Sequence, residues 1–251
     1  MNNNAWFIKE KPLLSLQSMS GGAAGSLFQG AATKTYVDDV FSTYLYTGNE
    51  SARSITNGID NSKGGLVWTK TRTGDAANHY TADTVRGVNN LLRFNQTNAE
   101  GTTASSITAF NDNGFSLGTS TDTNWNTREY ASWNFRKAAG FFDIVTYVGN
   151  QTNRTISHNL GCVPGMILIK NLDSADDWIV YHRSLGADYY LHLNENIAKR
   201  ANSYGSAYRF NGAPTATYFT LGNSAQTNST DENFVAYVFA GGDVASGTSS
   251  D

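Results

Sequence analysis

Cysteine occurs once in these 251 residues, at Cys162. A single thiol excludes an internal disulfide and a cysteine-based zinc site within one chain. Proline occurs three times, and charged residues make up only 16% of the chain, against a usual share of about 25%. The Lys and Arg side chains are scattered and the net charge is −3, so no basic run follows a phosphate backbone. Nucleic acid is therefore not an expected partner. The apolar runs are far shorter than the ~20 residues that cross a bilayer, which argues against membrane insertion. Met1 to Glu10 is polar and Asn-rich and has no hydrophobic signal core.

The chain is rich in aromatic residues, at 12%, and in Gly, Ser, Thr and Asn. Few charges, many aromatics and many small turn-formers describe an all-β protein of extracellular or virion type. Without a signal or a disulfide, that composition predicts assembly in a host cytoplasm and release by lysis. The expected location is thus a virion.

The chain also repeats itself. Tyr46-Thr47-Gly48-Asn49 returns as Tyr147-Val148-Gly149-Asn150, and Gly65 to Lys70 returns as Gly165 to Lys170. Leu92 to Asn95 returns as Leu191 to Asn194, Phe115 to Gly118 as Phe219 to Gly222, and Tyr130 to Phe135 as Phe234 to Phe239. Blocks in one order with offsets of about 99 to 104 residues mark a duplicated unit. The copies share apolar strands and glycine turns but not charged side chains.

Within each copy, Val40 to Thr47 and Phe142 to Val148 alternate and end at Gly-Asn, a hairpin-type signal. Phe234 to Phe239 is apolar on both faces, which predicts a central strand. Asn194 to Ala201 and Asn95 to Glu100 carry a short helical signal. The expected fold is all-β: two tandem, related β-sandwich units of lectin or jelly-roll type, packed together, with a short N-terminal arm. The expected organisation is an arm over 1–36, repeats over 37–140 and 141–243, and a flexible tail over 244–251.

Chemistry is harder to find. No His pair has the i, i+4 spacing of a helical zinc site, and no His-Glu-x-x-His, Gly-x-Ser-x-Gly or phosphate-loop motif occurs. His182 and His192 fall in neighbouring strands, where ordinary strand positions are the expectation. Asp83, Glu100, Glu129, Asp177, Asp188 and Glu195 are the candidate carboxylates for a glycosidase pair. The repeat offsets set Asp83 against His182 and Glu100 against Lys199, which does not favour a duplicated catalytic site. No catalytic residue, metal site or cofactor is expected, and the chain is read as not an enzyme. Trp68 and Trp133 lie in repeated strands and read as core. Trp125, in a Thr/Asn-rich stretch, is the better surface aromatic for stacking on a sugar, with Tyr189 and Tyr190 as further candidates. In the arm, Trp6, Phe7, Ile8, Leu13, Leu14 and Leu16 read as an anchor to a partner.

Several lines carry a family resemblance: Tyr36 to Tyr46, Thr84 to Gly87, Phe135 to Asp143, His158 to Met166 and Tyr181 to Ser184. Together they resemble a domain of uncharacterised function found in structural and tail-fibre-like proteins of marine tailed phages, those of cyanobacteria among them. The resemblance covers about Tyr36 to Gly242 and supplies no catalytic or ligand residues. It implies a virion location and a lectin-like sandwich. The expected function is a phage structural protein of tail-fibre, appendage or capsid-decoration type. Its expected partners are other virion proteins, reached through the arm, and further copies of itself. Recognition of a host-surface glycan is the alternative, and polysaccharide degradation stands third.

Overall fold

The computed structural model describes residues 35–242 except 75, 76, 204 and 206. The expected anchor residues Trp6, Phe7, Ile8, Leu13, Leu14 and Leu16, and the tail over 244–251, lie outside the described residues.

The first half contains β1 (Phe41–Thr47), β2 (Arg53–Thr56), β3 (Gly65–Thr71), β4 (Tyr80–Asp83) and β5 (Gly87–Arg93). It continues with β6 (Gly101–Thr102), β7 (Ile107–Asn111), β8 (Gly114–Leu117), the single-turn helix α1 (Thr121–Asn124) and β9 (Glu129–Arg136). The second half contains β10 (Phe142–Val148), β11 (Arg154–Ser157), β12 (Pro164–Asn171), β13 (Ile179–His182) and β14 (Tyr189–His192). It ends with β15 (Arg200–Ala201), β16 (Tyr218–Leu221), α2 (Ala225–Asn228) and β17 (Asn233–Ala240). The protein is all-β, with antiparallel sheets packed face to face. No helix among the described residues is long and apolar enough to cross a membrane.

Each half builds one six-stranded sheet, ordered β1-β9-β3-β4-β5-β6 in the first and β10-β17-β12-β13-β14-β15 in the second. Position by position, the two orders are the same. A small sheet completes each half: β2-β8-β7 in the first and β11-β16 in the second. Among the described residues of the second half no strand corresponds to β7; an isolated bridge, Phe210 to Leu221, takes that place.

Strand alternation divides the apolar residues among three cores. Tyr46, Ile55, Val67, Phe115, Leu117 and Tyr130 fill the first sandwich. In β17, Phe234, Ala236 and Val238 face the second sandwich, while Val235 and Tyr237 face a third cluster. That third cluster holds Leu66, Leu92 and Phe94 from the first half with Phe142, Leu168 and Trp178 from the second. The outer faces of the two six-stranded sheets are therefore packed on each other, giving four layers in all. Burying each large side chain contributes about 1.5–3 kcal/mol, so this joint is a core in its own right.

The Gly-Asn dipeptides are not hairpins. β1 pairs with β9 and β2 pairs with β8, so Gly48-Asn49 carries the chain from the large sheet to the small one. At this corner Tyr46 Oη donates to the Thr123 carbonyl at 2.7 Å, and its ring stacks on Tyr130 at 5.0 Å. Asn124 closes the corner: its Oδ1 accepts from Asn49 N at 3.1 Å, and its Nδ2 donates to the Ser51 and Gly118 carbonyls at 2.9 and 2.7 Å. The second half rebuilds this device with Tyr147, Phe234 and Asn228. Tyr147 Oη reaches the Thr227 carbonyl at 2.7 Å, and Asn228 Oδ1 accepts from Asn150 N at 3.0 Å. A Cβ on Gly48 or Gly149 would lie 2.1 or 2.0 Å from the carbonyl oxygen of Trp125 or Ser229. Only glycine fits there.

The two short helical signals do not become helices. Residues 95–100 and 194–199 are turns, bends and irregular chain, and Arg200–Ala201 is strand β15. The side chains of Asn95 and Asn194 instead accept from the backbone N of His79 at 2.9 Å and of Trp178 at 2.8 Å. Asn favours such local bonds to backbone over a helix interior.

Candidate recognition surface

Trp125 follows α1, whose N-cap Ser120 accepts from Asp122 N at 3.2 Å. Its own backbone N donates to Tyr130 Oη at 3.0 Å, and that hydroxyl donates to the Thr121 carbonyl at 3.1 Å. The backbone is thus clamped while the indole stays 46% exposed. The Arg128 guanidinium lies 4.7 Å from the ring centroid, and its Nη1 donates to the Thr73 carbonyl at 3.0 Å. A rigid indole beside a fixed cation can stack on an apolar ring face and offer hydrogen-bond donors next to it.

Tyr189 and Tyr190 do not act together. Successive strand residues point to opposite faces, and β14 sends Tyr189 outward, 37% exposed, while Tyr190 is fully buried. Lys199 Nζ sits 3.7 Å from the Tyr189 ring centroid. Tyr190 packs in the second sandwich core, with the Arg209 guanidinium 4.5 Å from its centroid. The reading of Tyr190 as a surface aromatic is therefore corrected: it is a core residue. Trp125 and Tyr189 belong to different halves, each with its own cation partner.

Two of the candidate glycosidase carboxylates are committed elsewhere. Asp83, fully buried, and Glu100 both pair with Arg86, Asp83 through Nε at 2.6 Å. Arg86 Nη2 also donates to Tyr237 Oη at 3.0 Å, and Tyr237 Oη donates to Asp83 Oδ2 at 2.8 Å. Burial opposes the charge on Arg86, but Tyr237, Asp83 and Glu100 around it outweigh that and raise its pKa. Tyr237 is itself raised well above the usual tyrosine value, first by burial. The network is a bolt between the halves.

Sequence reasoning missed a cavity of about 420 Å³ in the joint between the large sheets. Trp68, Phe94 and Phe135 from the first half and Met166, Leu168 and Phe239 from the second line it, with His79 and Asn95 as polar neighbours. Trp68 Nε1 donates to His79 Nδ1 at 3.2 Å, which assigns the imidazole proton to Nε2. Burial, and then the nearby charge of Lys70, lower the His79 pKa, so the ring is neutral at pH 7. Trp68 and Trp133, tilted against each other at 4.5 Å, carried the signal in their repeated-strand positions. No sequence feature marked which sheet face they would occupy.

His182 and His192 are not brought together: His192 lies opposite Ile179, the first residue of β13, and His182 is the last. His192 meets Asp177 and Glu195 instead.

Fold and surface define a double β-sandwich scaffold with exposed aromatic–cation pairs and an apolar cavity at its joint. The chain belongs to the family described as Domain of unknown function (DUF7483), whose profile matches residues 37–250. No curated protein and no solved structure matches it.

Proposed function

We propose that the protein is a non-catalytic structural protein of a tailed-phage virion, of tail-fibre, appendage or capsid-decoration type, that presents a rigid double sandwich. The observation that carries this reading is the joint between the halves. An apolar aromatic cluster and the Arg86 network make one four-layered body from two copies, which suits a load-bearing or displayed part. Its investment lies in shape: the corner device is kept in both copies, whereas Asp83 and Glu100 serve Arg86. Partners are other virion proteins and further copies of the chain, reached through the N-terminal arm. Deleting residues 2–30 should leave a folded protein that no longer joins particles, read by purifying particles from complemented infections. Normal incorporation of the truncated protein would sink the attachment role.

A second reading, recognition of a host-surface glycan, is favoured by Trp125. Its backbone is held by hydrogen bonds, its indole is exposed and Arg128 lies against it. Glycan-array binding by the purified chain tests it, with Trp125→Ala as the variant expected to lose the signal. Equal binding by that variant would remove Trp125 from any such site.

A further inference from the structure

The end of β14, the loop after it and the segment before β13 together carry a cluster that the scaffold role does not use. His192 Nδ1 lies 3.1 Å from Asp177 Oδ2 and 2.9 Å from Glu195 Oε2. The three ligand atoms all lie within 4.8 Å of one another. The His192 side chain is only 5% exposed, yet neither of its ring nitrogens has a hydrogen-bond partner. Two carboxylate oxygens thus stand at ion-pair distance from Nδ1 without satisfying it as a donor. A buried polar atom left in this state asks for an explanation, an ion among them.

The two separations from Nδ1 are those of metal ligands: bonds of about 2.1 Å place neighbouring ligand atoms about 3.0 Å apart at right angles and about 3.4 Å apart in a tetrahedron. The two carboxylate oxygens lie within 4.8 Å of each other and would draw closer around an ion. Calcium, with bonds of 2.3–2.6 Å and a preference for oxygen, fits an imidazole nitrogen and these short separations less well. One nitrogen and two carboxylate oxygens suit zinc or manganese, with water completing the shell. Outer support is present too. Asn194 Nδ2 donates to Asp177 Oδ1 at 2.8 Å, which leaves Oδ2 facing His192, and Asn194 Oδ1 is itself held by Trp178 N at 2.8 Å. Orientation of a ligating carboxylate by such a partner is how metal sites are kept in shape.

The first half provides an internal control. The same frame is built there, with Asn95 Nδ2 donating to Asn78 Oδ1 at 3.2 Å and Asn95 Oδ1 accepting from His79 N at 2.9 Å. The positions matching Asp177, His192 and Glu195, offset by 99 residues, hold Asn78, Arg93 and Gln96. All three differ in the same sense: an amide or a guanidinium in one copy, a metal-ligating group in the other. The frame alone does not require the acidic and imidazole groups.

We infer that Asp177, His192 and Glu195 bind one divalent transition-metal cation of the zinc or manganese kind, pinning the loop after β14 to the segment before β13. The test uses the full, untagged chain stripped with chelator and titrated with zinc chloride by calorimetry, with cobalt absorption as a second readout. One equivalent should bind, and the melting temperature should rise with zinc and fall back on adding chelator. Glu195→Gln and Asp177→Asn should each weaken binding by more than about tenfold, the loss that even an outer-partner change produces. Glu195 is 39% exposed, and Asn already stands at the Asp177 position in the other half, so both variants should fold. His182→Ala should bind as the parent chain does. Absence of saturable one-to-one binding would mean that the cluster is an ion triad only and would overturn the proposal. So would unchanged affinity in Glu195→Gln and Asp177→Asn.

Discussion

Tyr237 Oη donates to Asp83 Oδ2 at 2.8 Å across a sequence separation of 154 residues. Asp83 also accepts from the backbone N of Val85 and of Arg86, each at 2.9 Å, so its carboxylate is supplied from both halves. Tyr237→Phe keeps the ring in the joint but leaves Arg86 and Asp83 each short of a partner. The expected loss is about 1–3 kcal/mol, the cost of buried groups left unsatisfied. Asp83→Ala leaves the buried Arg86 with Glu100 as its one carboxylate and takes the acceptor from Tyr237 Oη, and should cost about 3–5 kcal/mol. Urea unfolding followed by tryptophan fluorescence measures both.

Asn124 and Asn228 make one prediction twice. Each side chain supplies the last partners for backbone groups at a corner between large and small sheet. Asn124→Ala and Asn228→Ala should each destabilise by about 1–3 kcal/mol and by similar amounts. Unequal losses, measured by urea unfolding, would show that the two corners are not equivalent in energy.

His79 and His158 set an acid limit. Burial lowers both below the usual histidine value. In the folded chain they stay neutral at a pH where the unfolded chain takes up protons, so the unfolded state binds more protons as pH falls. Their contribution is complete above about pH 6.5 and is lost as pH drops below it towards the lowered folded values. Unfolding midpoints between pH 7.5 and 5.5 should fall, and the double variant His79→Gln/His158→Gln should flatten that slope.

Lys170 works in the same direction at higher pH. Burial lowers its pKa to about 8, with Asp176, Asp177 and Glu232 opposing the shift. Its Nζ donates to the Asn171 and Ser174 carbonyls at 2.6 and 3.1 Å. Below about pH 8 both states are charged; above it the unfolded chain keeps a proton that the folded chain releases. Stability should therefore rise between about pH 8 and 9.5, and Lys170→Met should remove that rise in the same urea assay.

Tyr189→Ala and Tyr190→Ala separate surface from core within one dipeptide. Loss of the buried Tyr190 ring should cost about 3–5 kcal/mol, whereas Tyr189→Ala should stay within about 0.5 kcal/mol. Thermal melts read the difference directly.

The strand content, the presence of a turn at each Gly-Asn and the double-faced closing strand were legible because alternation and turn chemistry are local. Val235 and Tyr237 lie on one face of β17 and Phe234, Ala236 and Val238 on the other, and the structure uses both faces for burial. Pairing was less legible: Gly48-Asn49 has the composition of a hairpin, and only contacts with Asn124 and Arg128, far along the chain, make it a corner. The joint was hidden for a further reason. Asp83, Arg86 and Glu100 have no counterparts in the second half, because a bolt between two copies must differ from either copy's own pattern. Asp177, His192 and Glu195 converge through a turn held by Asn194, and a turn of that kind leaves no periodic trace.

Stacking the two copies back to back has a consequence for growth of the assembly. Each large sheet has one apolar face in its own sandwich and the other against its twin, so no third copy can add by the same contact. The duplication closes on itself at two, as a paired contact does and a head-to-tail one does not. Any larger array must therefore be built through other surfaces, such as sheet edges, corner loops or the outer faces of the small sheets, and not through the faces of the large sheets.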